Sequence, residues 1–514
     1  MRIGELIRRA GATYGAAPAL VDERRTMSFA EFDEATDRLG NALLASGFEP
    51  GDRLAVLLPN SVESVVVYYG LVKASLVRVP LNARETPAEH ADKLTDSEAR
   101  GLIHGGDAPG EAERVIGPDE LDALLRKGSP APCRVELPLD DPYRLAYSGG
   151  TTGKPKGVVL TTRTELAEVT NFLLDLLPDI GPGDVMLHAA PVTHGSGAFV
   201  LPHLVRGATS VIMGKFDAGT FLEAAERTRA TATFLVPTMI AMLLEEPNAA
   251  SAKLAMRRLC YGGAPIAPTV LERALDAFGP VLVQTYGQAE APLCITLLRP
   301  EEHTGDRAGS AGRPYTLVEM AVVGDDGEPV PVGETGEVVT RGQHVMAGYW
   351  RNPEATAAAI RPDGWLRTGD MGRLDDDGFL YLVDRRNDMI ISGGFNVYPR
   401  EVEDTLKSHP AVLEAVAVGL PDEKWGERVA AAVTTRSPVD AADLEAFCAE
   451  RMAGYKRPRR LEVWDDIPLS PVGKVLRRAA RDRMLGKAWE GHQPLRDAEE
   501  NRWTKTSNSS PSTA

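Results

Sequence analysis

The chain is short of cysteine and of basic charge, and each shortage excludes a class of protein. Cys133, Cys260, Cys294 and Cys448 are its only four thiols in 514 residues. They lie too far apart for a metal-binding pair or a disulfide framework, so a reducing cytoplasm is the expected compartment. Lys and Arg number 57 against 73 Asp and Glu, a formal net charge of -16. Binding a phosphate backbone needs a basic face, so no nucleic-acid partner is expected. Long apolar runs are also missing. The longest, Val62 to Leu81, is broken by Glu63, Lys73 and Arg78, and no membrane span is expected. Met1 to Arg9 is charged and lacks an apolar core of the signal type. With 43% hydrophobic and 25% charged residues, the rest is ordinary globular composition, long enough for two or more domains.

Up to about residue 140, helical patterns alternate with short apolar runs. Ser28, Phe29, Ala30 and Glu31 form a capping-box pattern that predicts a helix through Leu44. Arg53 to Leu58 reads as a strand, Val62 to Ala74 as a helix and Val77 to Pro80 as a second strand. This alternation predicts parallel βαβ units. Gly105 to Pro132, rich in Gly, Pro and charge, is expected to be a loose surface excursion.

The chain then reaches Tyr147-Ser148-Gly149-Gly150-Thr151-Thr152-Gly153-Lys154-Pro155-Lys156-Gly157. Gly149, Gly150 and Gly153 let backbone approach a ligand closely. Two threonine hydroxyls and two lysines beside them supply what polyphosphate oxygens need. It is not a Walker loop, because Ser148 and Pro155 stand where that motif requires Gly and Ser/Thr. The bland alternative is a polar surface turn with solvated lysines.

On these residues the chain resembles the adenylate-forming enzymes: acyl-CoA synthetases, peptide-synthetase adenylation domains and luciferases. Their phosphate loop differs here at Gly149, where the family usually has Ser. Further motifs follow in the family's order. Gly262-Gly263-Ala264 is similar to the adenine-binding turn. Tyr286-Gly287-Gln288-Ala289-Glu290 is similar to the motif whose Tyr stacks on adenine and whose Glu holds Mg²⁺, with Ala289 replacing the usual Thr. Gly369-Asp370 resembles the ribose motif, and Asp384-Arg385-Arg386-Asn387-Asp388 the hinge, with Asp384 and Asn387 as departures. Gly393-Gly394-Phe395 resembles the edge of the pantetheine tunnel, and Ser470-Pro471-Val472-Gly473-Lys474 the catalytic-lysine motif.

The resemblance implies an α/β fold: a large N-terminal domain of αβαβα layers plus a small barrel, and a small mobile α+β C-terminal domain. The small barrel is placed at residues 317–345, where turn signals separate Val-rich runs. Residues 1–383 would form the large domain, 384–388 the hinge with Asp388 as pivot, and 389–486 the small domain. The polar stretch 487–514 is expected to be disordered. Lys474, Glu290, Thr151 and Lys156 would be catalytic, with Glu290 also the metal ligand. Ser148, Gly150, Thr152, Gly153, Lys154, Gly262, Gly263, Ala264, Tyr286, Gly287, Gln288, Asp370, Arg385, Gly393, Gly394 and Phe395 would hold nucleotide and CoA.

The implied activity activates a carboxylic acid as acyl-AMP and transfers it to CoA, with ATP, Mg²⁺ and CoA as cofactors. Two alternatives stand beside it: loading of a separate carrier protein, and nucleotide binding without catalysis. His194, Gly197, Phe234, Gly287 and Leu293 would line the acyl pocket. His194 reads equally well as a core histidine bonded to backbone. Small residues at 195–198 and 287 point to a bulky or medium-to-long apolar acid, provided they are not there for turns. A homodimer is compatible with the sequence and not required by it.

Overall fold

The computed structural model describes residues 2–83, 85–135, 138–148, 156–385, 388–392, 395–422, 425–470 and 475–487. The chain divides into two compact units, residues 1–387 and 388–514.

The first unit contains two large sheets and a smaller one. In the nine-stranded sheet, Leu282–Gln288, Arg258–Gly262, Ala232–Leu235, Val185–His188, Thr209–Ile212 and Pro18–Val21 are successive parallel neighbours. Ala291–Leu298 joins antiparallel at one end through a hairpin with Leu282–Gln288. The seven-stranded sheet runs Gly348–Tyr349, Lys156–Thr161, Pro142–Ser148, Val77–Pro80, Arg53–Leu57, Gly101–His104 and Arg114–Ile116, parallel from the third strand onward. The antiparallel stretch foreseen from residue 317 is a four-stranded sheet of Glu319–Val323, Gly336–Arg341, Leu366–Leu374 and Leu380–Arg385. Among the described ladders the first and last of these are its edges.

Local sequence explains the elements that frame these sheets. The Ser28 and Glu31 capping box closes as expected and starts the helix Phe29–Ala45. That helix crosses Val62–Lys73 closely, because Gly70 lets Leu39 approach where a Cβ would lie 2.8 Å from its methyl carbon. At the end of the second helix Lys73 is buried, and its ammonium pairs with Asp33 at 2.5 Å and Asp37 at 2.9 Å. The stretch 105–132 is not loose: it holds the strand Arg114–Ile116 and the helix Pro118–Lys127. Pro118 presets the first turn, Asp119 and Glu120 favour the helix N-terminus, and buried Leu121 seats it on the core. The Gly, Pro and charge that suggested a loop are helix-start signals.

The second unit is built on the hairpin of Val412–Asp422 with Gly426–Thr435, to which Arg460–Val463 adds in parallel. The helix Pro399–Lys407 lays Val402 and Leu406 on it, both fully buried. All four cysteines are buried and free.

Buried histidines hold one segment that matters below. His188, at the end of Val185–His188, shares Nδ1 with the Ser196 hydroxyl at 2.9 Å and Nε2 with the Ser210 hydroxyl at 3.2 Å. This fixes the short 3₁₀ turn Gly195–Phe199 to the sheet. Burial, helped by nearby His203, lowers His188 to about 3; burial likewise lowers His203 and His344 to about 4. These rings are neutral in the fold and take up protons once unfolded, so stability falls as pH drops below about 6.5. Calorimetric unfolding at pH 5.5 in buffers of different ionisation enthalpy should show about one proton fewer taken up by His344→Gln than by the unaltered chain. An unchanged uptake would mean that this ring is already charged in the fold.

Candidate active site

All three sheets of the first unit contribute to one turn. The parallel strands Arg258–Gly262 and Leu282–Gln288 end side by side, with Gly262 paired to Thr285. A Cβ on Gly262 would lie 2.4 Å from the Thr285 carbonyl oxygen, so only glycine permits this register. Gly263 follows in a left-handed conformation, φ +79°. The Gly-Gly-Ala turn and Tyr286 are thus adjacent.

Tyr286 then donates its hydroxyl to Asp370 at 2.6 Å, across 84 residues of sequence. Both are more than nine-tenths buried. Asp370 is placed by the Thr368 hydroxyl, which accepts the Asp370 amide at 3.0 Å and donates to the Val338 carbonyl. Opposite Asp370 in the ladder stands Arg385. Two sequence-predicted nucleotide residues from different sheets therefore touch directly.

Glu290 sits in the turn that closes the same hairpin. Its Oε1 accepts the Tyr349 hydroxyl at 2.8 Å, and its backbone carbonyl accepts the Met346 amide at 2.8 Å. Tyr349 belongs to the short strand paired with Lys156–Thr161. The Lys156 ammonium lies 4.9 Å from the centre of the Tyr349 ring, a cation–π contact. One aromatic ring therefore joins the exposed lysine after the Gly-rich segment to the carboxylate expected to hold metal. Tyr349 has no role in the sequence reading; its only signal is the Gly348-Tyr349-Trp350 run after a strand-rich stretch. Mg²⁺ is commonly held by one or two carboxylates together with substrate phosphates. A single Glu290, linked through Tyr349 to Lys156 of the segment expected to hold phosphate, fits that pattern.

The strands on either side of that segment pair as a hairpin, with Tyr147 opposite Gly157 and Ser148 opposite Lys156. Gly150, Thr151, Thr152, Gly153 and Lys154 lie outside the described residues, as do Gly393, Gly394 and Lys474. Phe395 is in the strand Phe395–Val397 of the second unit, paired with Ser392. Asp388 accepts from Arg477 at 3.2 Å, and Arg477 also forks onto Glu403 at 3.1 and 2.7 Å. Arg477, three residues beyond Lys474, is a further anchor that the motifs did not reveal.

The acyl-pocket candidates separate into two groups. Gly195, Phe234 and Leu293 come together: a Cβ on Gly195 would lie 2.8 Å from the Phe234 ring and 3.6 Å from the Leu293 methyl carbon. Leu293 is held at φ +47°, a left-handed conformation that costs a bulky residue about 1–2 kcal/mol. His194 is exposed, and its Nδ1 meets the Thr193 hydroxyl at 2.8 Å. Gly197 and Gly287 have a different explanation. Their Cβ positions would fall 2.1 Å from the Val192 carbonyl and 2.4 Å from the Leu293 amide nitrogen. Close backbone packing demands glycine at both, so their size says nothing about acyl volume. Gln288 and Ala264 are half-buried beside the same turn.

Similarity to known proteins runs along most of the chain. The AMP-binding enzyme family model matches residues 7–350, and that of the AMP-binding enzyme C-terminal domain matches residues 401–474. The chain is 39% identical over 472 residues to a feruloyl-CoA synthase from Amycolatopsis sp, covering 89% of this chain and 94% of that protein. It is 35% identical to the fatty acid–[acyl-carrier-protein] ligase ScoC of Streptomyces coeruleorubidus, covering 91% and 94%. The o-succinylbenzoate CoA synthetase of Bacillus subtilis, solved with its acyl-adenylate intermediate, superposes with a TM-score of 0.85 at 33% identity over 95% of this chain and 99% of that one.

The close approach at Gly287 makes a stability prediction. Gly287→Ala should cost about 1–3 kcal/mol, because the added methyl meets backbone instead of a yielding side chain. Chemical denaturation of the variant checks this, and an unchanged midpoint would show that the hairpin has room.

Proposed function

The chain belongs to the AMP-binding enzyme family, and on that premise we propose that it is an ATP-dependent acid–thiol ligase that converts a carboxylic acid to its CoA thioester; the bulky, apolar acid expected from the small residues at 197 and 287 loses that support, because backbone fills the space beside both. The carrying observation is the convergence of Tyr286, Asp370, Glu290 and Tyr349 on one turn. The similarity to CoA ligases along most of the chain supports the same reading.

A carboxylate is a poor acyl donor because its leaving group would be oxide. In the first step a carboxylate oxygen attacks the α-phosphorus of ATP, pyrophosphate leaves and acyl-AMP forms. In the second the CoA thiolate attacks the acyl carbon, the acyl–oxygen bond breaks and AMP leaves. The first step needs charge neutralisation more than proton transfer. Tyr286 would lie against the base and Asp370 would accept the ribose hydroxyls, one of its oxygens already positioned by the Tyr286 hydroxyl. Lys156, with Thr151, Thr152 and Lys154, would hold the phosphates, and Glu290 would hold Mg²⁺. Mg²⁺, when bound, supplies positive charge to the phosphate oxygens. Tyr349 would keep the Glu290 carboxylate in one orientation. Lys474 would neutralise the reacting carboxylate, a task suited to a mobile ammonium. Gly393, Gly394 and Phe395 would border the thiol's path and Arg385 the nucleotide, with Asp388 the pivot between the two half-reactions. Residues 384–388 are the proposed hinge.

A panel of carboxylic acids scored for CoA-dependent AMP formation tests the reading. AMP formation that requires a carrier protein and ignores CoA would favour the chemistry named for ScoC. Nucleotide binding without pyrophosphate exchange for any acid would reduce the protein to a binder. Lys474→Ala should abolish adenylation and spare thioester formation from supplied acyl-AMP; equal loss of both half-reactions would remove the pivot. Tyr349→Phe deletes a hydrogen bond to a charged acceptor, worth about 1.5–3 kcal/mol. It should lower kcat/KM for adenylation by about tenfold or more and raise the Mg²⁺ concentration needed for half-maximal rate. A Mg²⁺ titration identical to that of the unaltered enzyme would show that Tyr349 does not act through the metal.

A further inference from the structure

The strand Leu366–Leu374 loses its regular ladder at the point where it carries Asp370. Toward the strand Gly336–Arg341, Arg367 pairs with Val339 and Met371 with Glu337. Thr368, Gly369 and Asp370 therefore stand opposite Val338 alone. Bulges of this kind bend a strand, re-aim its side chains and are over-represented next to active sites. Gly369 takes the left-handed conformation that the bend requires, φ +71°, which glycine adopts without a Cβ penalty.

A bulge disrupts ladder bonds, and here side chains take their place. The Thr368 hydroxyl donates to the Val338 carbonyl at 2.7 Å and accepts the Asp370 amide at 3.0 Å. Glu337 Oε1 accepts the Gly369 amide at 3.3 Å. Its Oε2 accepts Arg367 Nε and Nη2 at 3.0 and 2.6 Å. The two oxygens of one carboxylate thus hold the bulge on both sides of Thr368.

Glu337 is well placed to act as a fixed support. It is 4% exposed, and its strand is paired on both sides, with Val323 opposite it on the one and Met371 on the other. Gly336 packs so closely on the first neighbour that a Cβ would lie 2.4 Å from the Val323 carbonyl oxygen. Arg367, by contrast, keeps 43% of its side chain exposed. A cross-strand ion pair by itself needs no buried carboxylate, since burying a charge is costly unless it is paired and hydrogen-bonded. The bond to the Gly369 amide is what such a pair would not explain.

The bulge delivers Asp370 to Tyr286, whose hydroxyl it accepts through Oδ2 at 2.6 Å. The Asp370 side chain is thus oriented from the nine-stranded sheet and its backbone from the four-stranded one. Resting on the proposed role of Asp370 as the ribose acceptor, we propose that Glu337 is a positioning residue for nucleotide recognition. By holding the Gly369 amide, with Arg367 as its counter-charge, it fixes where the Asp370 carboxylate meets the two ribose hydroxyls. Glu337 itself touches no nucleotide. Binding geometry of this type must be held to about 0.5 Å by supporting residues. Without the Glu337 carboxylate the bulge loses its hold at Gly369, and the error falls on the ribose hydroxyls, not on the base.

The test is calorimetric titration of the full chain with AMP and with 2′,3′-dideoxy-AMP, which lacks both hydroxyls. The unaltered protein should bind AMP about tenfold tighter or more. Glu337→Met should cut that ratio to about threefold or less, with the loss confined to AMP. Glu337→Gln, whose amide oxygen still accepts from Gly369 and which gives up only the charge, should hold a ratio between the two. An unchanged ratio, or a Met variant that weakens both nucleotides alike, overturns the proposal and leaves Glu337 as a structural residue of the sheet. If Glu337→Met does not fold, Arg367→Met at its half-exposed position decides: it should lower the ratio about threefold, and an unchanged ratio again overturns the proposal. Equal binding of both nucleotides by the unaltered protein removes Asp370 as ribose acceptor and the proposal with it. The ligase reading fails separately. Absence of pyrophosphate exchange with any acid, while the AMP preference and its dependence on Glu337 persist, removes the ligase and supports the positioning role.

Discussion

The hydrogen bond from Tyr286 to Asp370 joins the nine-stranded sheet to the four-stranded one, and the seven-stranded sheet is joined to them four residues later, at Glu290. There Glu290 accepts Tyr349 through its side chain and Met346 through its backbone. Bonds to carboxylates are stronger than neutral ones, and the Tyr286–Asp370 pair is shielded from water at both ends. The segment from Tyr286 to Glu290 has little freedom to adjust: Gly287 lies against the backbone of Leu293, and Leu293 is held in a left-handed conformation. Rigidity at that turn gives the proposed base, ribose and metal contacts a common frame, since each derives from a residue locked by the same few bonds.

Much of this was legible in the sequence because the chemistry demands particular residue types in short runs. The strand and helix boundaries around Ser28, Arg53, Val62 and Val77 follow from capping and apolar patterning. Residues whose role depends on a partner distant in sequence were not legible. Tyr349 acquires meaning only when its strand pairs beside Lys156, and Arg477 only when Asp388 and Glu403 fold to meet it. The helix Pro118–Lys127 was hidden because Pro and acidic residues serve loops and helix starts alike. At Gly287 and Gly197 an absent side chain suggested open volume, whereas the backbone occupies that space. A small residue reports closeness as readily as emptiness, and only the fold tells which.

Charge works locally in this protein. A chain with net charge -16 repels an anionic nucleotide at long range, so cations must act close to the phosphates. Lys156, exposed over the face of Tyr349, is the described lysine to which the proposed reading gives that task. In the second unit the guanidinium of Arg477 is shared between Glu403 on a helix and Asp388 at the start of the unit.

The helix Thr162–Asn171 carries polar side chains into the core without weakening it at its end. Glu168 and Asn171 are more than nine-tenths buried, and a buried carboxyl or amide without a partner costs about 1–3 kcal/mol. The π-helical turn that follows is pinned by Asp175 to Thr316 and Arg299, bonds to a carboxylate that are stronger than neutral ones. Phe172 in that turn stacks on Tyr315, beside Thr316, so shifting the turn would move both rings together.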